Sequence, residues 1–117
     1  MPTYFVRRSG ILAILATPLL ALAIPAFADE TSDIAAGKKI AETYCAACHA
    51  VGTDGDSPRE GAPRFRELGQ RFPIENLEES LAEGIMTGHP DMPQFEMTPE
   101  EIGVFLTYLN SIQVKAP

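Results

Sequence analysis

Apolar residues recur every three or four positions in three parts of the chain, which is the spacing that lines one face of an α-helix. The pattern predicts helices over about 34–48, about 74–87 and 98–112, with a shorter helix over about 64–70. β-branched residues are sparse, and no alternating run of apolar and polar residues indicates a strand. The chain is therefore predicted to be all-α, with long loops rich in Gly, Pro and Asp between the helices.

The third predicted helix, within "MTPEEIGVFLTYLNSIQ", has the strongest local signals. Thr98 suits the N-cap, Pro99 the first helical position, and Glu101 completes a capping box. Met97 before the cap and Ile102 after it predict a hydrophobic staple. The residues predicted to face the core are Ile102, Phe105, Leu106, Leu109 and Ile112.

The first predicted helix contains a glycine where an ordinary helix would not need one. Ser32 or Asp33 is expected to cap this helix. Gly37 in the interior costs about 1 kcal/mol relative to alanine, so it predicts the close approach of another helix. The face predicted to be buried comprises Ile34, Gly37, Ala41, Tyr44 and Cys48.

Residues 1–28 are predicted to be a secretory signal peptide. Arg7 and Arg8 precede an apolar run over 11–24, and Ala26-x-Ala28 suits a cleavage site. The run is shorter than the roughly 20 residues of a membrane span, so cleavage after Ala28 is preferred to the alternative of an uncleaved anchor. The mature domain would then be residues 29–117.

This mature domain is strongly acidic. It contains all 16 Asp and Glu but only 7 of the 9 Lys and Arg, which gives a formal charge of −9. The charge argues against nucleic acid or an anionic membrane surface as a partner. It suits either simple solubility or attraction to a basic docking patch on another protein.

The candidate chemistry lies in "CAACH", which contains the only two cysteines of the chain, Cys45 and Cys48, followed directly by His49. On a helix the two cysteines lie on one side. The pattern is typical of c-type haem attachment, in which two thiols bond to the haem and the histidine ligates its iron. An export signal agrees with this interpretation, because haem is attached to such proteins outside the cytoplasm.

Three other roles for the two cysteines are less favoured. A thioredoxin-like redox pair expects strands around it, and the sequence predicts none. A closed zinc site needs four ligands, and the adjacent Cys48 and His49 do not easily bind one ion together, even with His89 as a further ligand. A plain disulfide leaves His49 unexplained.

A second axial ligand is needed if the iron is only to pass electrons. The candidates are Met86, Met92, Met97 and His89. Met92 lies between two prolines in "HPDMPQF", and nothing else in that loop needs a buried thioether. Met92 is therefore the predicted ligand; His89 is the alternative and would give bis-histidine ligation with a lower reduction potential.

With these motifs in this order, residues 29–113 resemble the class I cytochromes c, small bacterial electron carriers. The resemblance implies the cytochrome c fold, with three main helices and a short fourth around one covalently bound haem c, and with the N- and C-terminal helices crossing. It implies that Cys45 and Cys48 form the thioether bonds and that His49 and Met92 ligate the iron. It also implies that the carbonyl of Pro63 accepts a hydrogen bond from His49 Nδ1.

The same resemblance implies that Phe105 and Tyr108 pack against Gly37.

The chain departs from the family in two places. Ala41 stands where many members have an aromatic residue. The ring of lysines around the haem edge of mitochondrial members is absent, so a mitochondrial mode of docking is not implied.

The function implied is that of a monomeric monohaem cytochrome in the periplasm. It would carry single electrons between redox proteins, such as a dehydrogenase, an oxidase or a reductase, and would not be an enzyme. A haem enzyme or gas sensor is the alternative and would need a missing or labile sixth ligand. A dedicated subunit of a larger redox enzyme is a further alternative, which the sequence does not separate from a free carrier.

Overall fold

The computed structural model describes residues 1, 27–84, 91–94 and 96–115, and every regular element within them is helical. Helix α1 spans Phe27–Tyr44, α2 spans Leu77–Glu83 and α3 spans Pro99–Ser111. Two 3₁₀ helices lie between α1 and α2, at Phe65–Gln70 and Ile74–Asn76. The all-α prediction is therefore confirmed for the described residues. No helix among them is long and apolar enough to cross a membrane.

Helices α1 and α3 pack closely around Gly37, as the sequence predicted. A Cβ at Gly37 would lie 2.7 Å from the Cβ of Tyr108 and closer still to the carbonyl oxygen of Val104. Tyr108 is thus one of the two expected neighbours, and Val104 lies nearest in place of Phe105. Because positions 104 and 108 are four apart, they share one ridge of α3, whereas Phe105 packs edge-on against Phe65.

Helix α1 starts and stops earlier than predicted. It is already helical at Phe27, so Ser32 and Asp33 lie inside it and neither caps it. The spacing of apolar residues did not predict this first part of the helix, because its polar residues do not form a buried face. The helix ends at Tyr44, which is 61% exposed, and Cys45 takes the buried position expected for Tyr44.

Helix α3 follows its prediction closely. The Thr98 hydroxyl accepts a hydrogen bond from the Glu101 backbone N–H (3.3 Å), and the Glu101 carboxylate accepts one from the Thr98 backbone N–H (2.9 Å). This second bond lowers the pKa of Glu101. Met97 and Ile102 are both buried in the core, as the staple requires.

The helix predicted over 74–87 is divided into a 3₁₀ turn, Ile74–Asn76, and α2. Gly84 follows α2 with φ +86°, and residues 85–87 lie outside the described residues. The short helix predicted over 64–70 is a 3₁₀ helix, Phe65–Gln70. Met97 N–H donates to the Leu81 carbonyl (2.9 Å), which ties the chain before α3 to α2.

The core lies between α1, α3 and the short middle helices. Leu109 of α3 is fully buried at its centre. The buried residues that pack together in this core are Ala41, Cys45, Phe65, Leu68, Ile74, Leu81, Met97, Ile102, Phe105, Tyr108, Leu109 and Ile112. One end of this core therefore includes the cysteine motif.

Candidate haem site

The C-terminal end of α1 turns sharply and brings the motif residues together. The Cys45 carbonyl accepts hydrogen bonds from the backbone N–H groups of both Cys48 (3.1 Å) and His49 (2.9 Å). Cys45 N–H is itself bonded to the Ala41 carbonyl in the last turn of the helix (2.9 Å). Both thiols and the imidazole are thus anchored to the end of a packed helix.

His49 is buried and held in one orientation. Its Nδ1 lies 2.8 Å from the carbonyl oxygen of Pro63. A carbonyl only accepts, so Nδ1 carries the proton, and the lone pair of the neutral ring is on Nε2. The Phe65 ring packs against the imidazole, with 5.0 Å between ring centroids. This arrangement prepares Nε2 for binding a metal.

The segment that carries Pro63 is fixed by the rest of the loop. Phe65 N–H donates to the Ala50 carbonyl (2.9 Å), and Ala50 N–H donates to the Ser57 hydroxyl (3.0 Å). Arg59 N–H donates to the Cys48 carbonyl (3.1 Å). The middle and the C-terminal end of the loop are therefore both bonded to residues 48–50.

Gln113, beyond the end of α3, fixes the same segment from the other side. Its Nε2 donates to the carbonyls of Phe65 (2.9 Å) and Leu109 (2.7 Å), and its Oε1 accepts from Gly69 N–H (2.7 Å). Val114 N–H donates to the Arg66 carbonyl (2.8 Å). The C-terminal tail thus holds the 3₁₀ helix behind His49.

One cavity joins the cysteine motif to the methionine loop. It has a volume of about 100 Å³. Its lining residues are Tyr44, Cys45, Ala47, Cys48, His49, Phe65, Asp91, Met92 and Pro93. The cavity thus brings together four of the five predicted site residues: Cys45, Cys48, His49 and Met92. The fifth, Pro63, does not line the cavity but is hydrogen-bonded to His49. His89 and Met86 lie outside the described residues.

The cysteines and their surroundings are compatible with a haem. Cys45 is buried and Cys48 is half-buried, and they do not form a disulfide with each other. Before any haem is attached, burial raises the pKa of the Cys45 thiol to about 11. Among the described residues no group of three or more His, Cys, Asp and Glu is placed to hold a metal ion. The thiols and the mostly apolar cavity are thus compatible with a covalently bound haem.

Several residues of this site were not predicted from the sequence. Phe65 lies two positions after Pro63. An aromatic residue so close to Pro63 could have indicated that its ring packs against His49. Ser57, Arg59 and Gln113 each have at least one partner that is 7 or more residues away, as in the bond from Gln113 to Phe65, which spans 48 residues. No local pattern marks such partners.

An all-α chain in which C-x-x-C-H and a loop methionine share an apolar cavity has the arrangement of a c-type cytochrome. The family model described as "Cytochrome c" matches residues 34–113, and the chain belongs to that family. It is 35% identical over 88 residues to cytochrome c6 of Picosynechococcus sp., a match that covers 72% of each protein. No solved structure matches the chain significantly.

Membership of the family establishes the cofactor and the general role. The chain carries covalently attached haem c with its iron, and it has the all-α cytochrome c fold. It is a haem protein that functions in electron transfer. The sequence contains two cysteines, Cys45 and Cys48, and both lie in the C-x-x-C-H motif.

Proposed function

We propose that this protein is an exported monohaem electron carrier of the periplasm, cleaved after Ala28, with His49 and Met92 as the two iron ligands. The observation that carries the proposal is the cavity that Met92 shares with Cys45, Cys48 and His49. The haem supplies a one-electron Fe(III)/Fe(II) couple when bound. The residues of the chain attach it, orient it and keep water away from it.

Each site residue has a separate part in this proposal. Cys45 and Cys48 form the thioether bonds, which keep the haem in a fixed position relative to His49. The Pro63 carbonyl accepts a hydrogen bond from Nδ1–H of His49, which fixes the ring and would make Nε2 a stronger donor to the iron. Met92 would supply a thioether sulfur as the second iron ligand, and His/Met ligation would raise the reduction potential.

Two iron ligands from the chain itself would suit a carrier that is not an enzyme. With His49 and Met92 as the ligands, the iron would have no position left for oxygen or peroxide. Partners would be redox proteins such as a dehydrogenase, an oxidase or a reductase, and encounters of this kind bury less than about 1,200 Å². The acidic surface suits a partner with a basic docking patch, met by a monomer of this chain.

The ligand assignment is tested by comparing two methionines. Met92→Leu and Met97→Leu make the same chemical change, but only Met92 lines the cavity, whereas Met97 is buried in the core beside α3. In the oxidised holoprotein we expect Met92→Leu to lose the long-wavelength absorption band of methionine-ligated ferric haem. Met97→Leu should keep it. A band that survives in Met92→Leu overturns the assignment.

Export and haem attachment are tested by one mass spectrum. Periplasmic material should have the mass of residues 29–117 plus one haem. A mass that includes residues 1–28 would favour the uncleaved anchor. Copurification with one large redox enzyme, in fixed ratio, would favour a dedicated subunit over a free carrier.

A further inference from the structure

Arg59 joins the two sides of the site through its backbone and its side chain. Its backbone N–H donates to the Cys48 carbonyl (3.1 Å), and its own carbonyl accepts from Ala62 N–H (3.2 Å). Its guanidinium forms an ion pair with the Asp91 carboxylate. Asp91 lines the cavity and directly precedes Met92.

From these contacts we infer that the Arg59 bridge, made of Cys48, Arg59 and Asp91, holds Met92 in position to bind the iron. The inference rests on the proposed function, because it takes Met92 as the ligand. Neither Arg59 nor Asp91 is proposed as a ligand of the iron, so they are positioning residues. Their contact spans 32 residues of sequence and connects the cysteine motif directly to the methionine loop.

The location of the ion pair decides what it does. Met97, after the loop, is tied to α2 by the bond to the Leu81 carbonyl. Asp91, before Met92, has the Arg59 guanidinium as its ion-pair partner. A loop held on both sides of its ligand loses less conformational freedom when the sulfur binds the iron, so that bond is favoured.

The size of the effect follows from the exposure of the pair. The Arg59 side chain is 46% exposed and that of Asp91 55%, so solvent and salt screen their attraction. An exposed pair of this kind shifts an equilibrium by about two- to fivefold. The bridge therefore adjusts how readily Met92 leaves the iron, while the haem itself stays attached through the cysteines.

The test is an imidazole titration of the ferric holoprotein at low ionic strength and one fixed pH, followed by absorption. Imidazole competes with Met92 for the iron, so its apparent affinity rises as Met92 dissociates more readily. We expect Arg59→Gln to bind imidazole about two to five times more tightly than the wild type. In about 1 M salt, where charges are screened beyond about 3 Å, the two proteins should converge.

Arg64→Gln is the matched control. Arg64 comes from the same loop and is ion-paired with Asp56 and Glu67, but neither partner belongs to the methionine loop. This variant should bind imidazole as the wild type does. An equal shift in Arg64→Gln would show that loop charge in general is responsible, which overturns the role of the bridge.

Exchange of the two charges separates the ion pair from other effects of substitution. Arg59→Asp and Asp91→Arg should each increase imidazole affinity, and the double variant should recover part of the wild-type value. If Arg59→Gln yields no holoprotein, Asp91→Asn tests the same pair from its other side, with the same expected increase. No change in affinity in Arg59→Gln or Asp91→Asn overturns the inference.

Failure of the bridge is distinguishable from failure of the proposed ligand. If Met92→Leu keeps the methionine–iron band, the ligand is wrong and the inference is overturned with it. If Met92→Leu loses the band while Arg59→Gln leaves imidazole affinity unchanged, only the bridge is wrong.

Discussion

At Gly37 the backbone of α1 lies against the backbone of α3. The nearest atoms to an added Cβ would be the Val104 carbonyl and the Tyr108 Cβ, and neither belongs to the flexible end of a side chain. Gly103, also in a helix interior, has nothing within 4 Å of the same position. The two glycines therefore offer the same substitution with opposite consequences.

Gly37→Ala is expected to lower the free energy of unfolding of the holoprotein by about 1–2 kcal/mol, because overpacking exceeds the gain in helix propensity. Gly103→Ala should raise it by about 1 kcal/mol, since only the propensity changes. Urea denaturation of both variants measures the difference. A Gly37→Ala protein as stable as Gly103→Ala would show that α1 and α3 separate at little cost.

Single residues also show what sequence reasoning can and cannot find. The close packing at Gly37 could be predicted because a glycine destabilises a helix interior, and close contact with another helix offsets that cost. His49 was predicted from the C-x-x-C-H pattern. Its hydrogen bond to Pro63 was expected from the family resemblance, and that bond is present in the structure. Arg59 and Asp91 had no such signal, because an ion pair between distant loops leaves no pattern in either.

Among the elements, α3 has both hydrogen bonds of its predicted capping box. The Thr98 side chain accepts from Glu101 N–H, and Glu101 returns the bond to Thr98. Thr107, in the same helix, donates instead to the Gly103 carbonyl one turn earlier (2.9 Å). A threonine at the start of the helix and one in its middle thus have different energetic roles.

Thr98→Ala is expected to lower the free energy of unfolding by about 1 kcal/mol, because a backbone N–H at the helix start loses its acceptor. Thr107→Ala should leave stability within about 0.5 kcal/mol of the wild type, since alanine has the higher helix propensity. Chemical denaturation of the holoproteins compares them. Equal losses in the two variants would contradict a specific role for the cap.

The elements were predicted well where their signals are local. The cap and staple of α3 lie within a few residues, so its start at Pro99 was found correctly. The start of α1 was missed because residues 29–33 have no apolar periodicity to mark them. The 3₁₀ character of Phe65–Gln70 was also missed, since it depends on tertiary bonds from Gln113 rather than on its own sequence.

Across the whole molecule, Tyr108 joins α3 to the loop beyond the cysteine motif. Its hydroxyl donates to the Val51 carbonyl (2.7 Å) across 57 residues of sequence. Burial raises the pKa of the Tyr108 phenol, with a further contribution from the charge of Glu42. The folded protein therefore retains this proton at a pH where the unfolded chain begins to lose it.

Tyr108→Phe should lower the free energy of unfolding by about 1 kcal/mol at neutral pH, through loss of the hydrogen bond. A raised pKa in the folded state means that this contribution is complete below the usual tyrosine pKa of about 10 and is lost as the pH rises through the higher folded value. Unfolding of the two proteins across this range should show their difference shrink. A difference that stays constant above pH 10 would contradict the coupling.

The tail after α3 has a consequence for the order in which the protein is built. A chain made from its N-terminus presents Cys45 and His49 before Gln113 and Val114. The bonds from Gln113 to Phe65 and Gly69 span 48 and 44 residues, so they form only after α3 has been made. The support behind the histidine is thus absent when the cysteine motif is first made, so assembly of the haem pocket depends on the segment that follows α3.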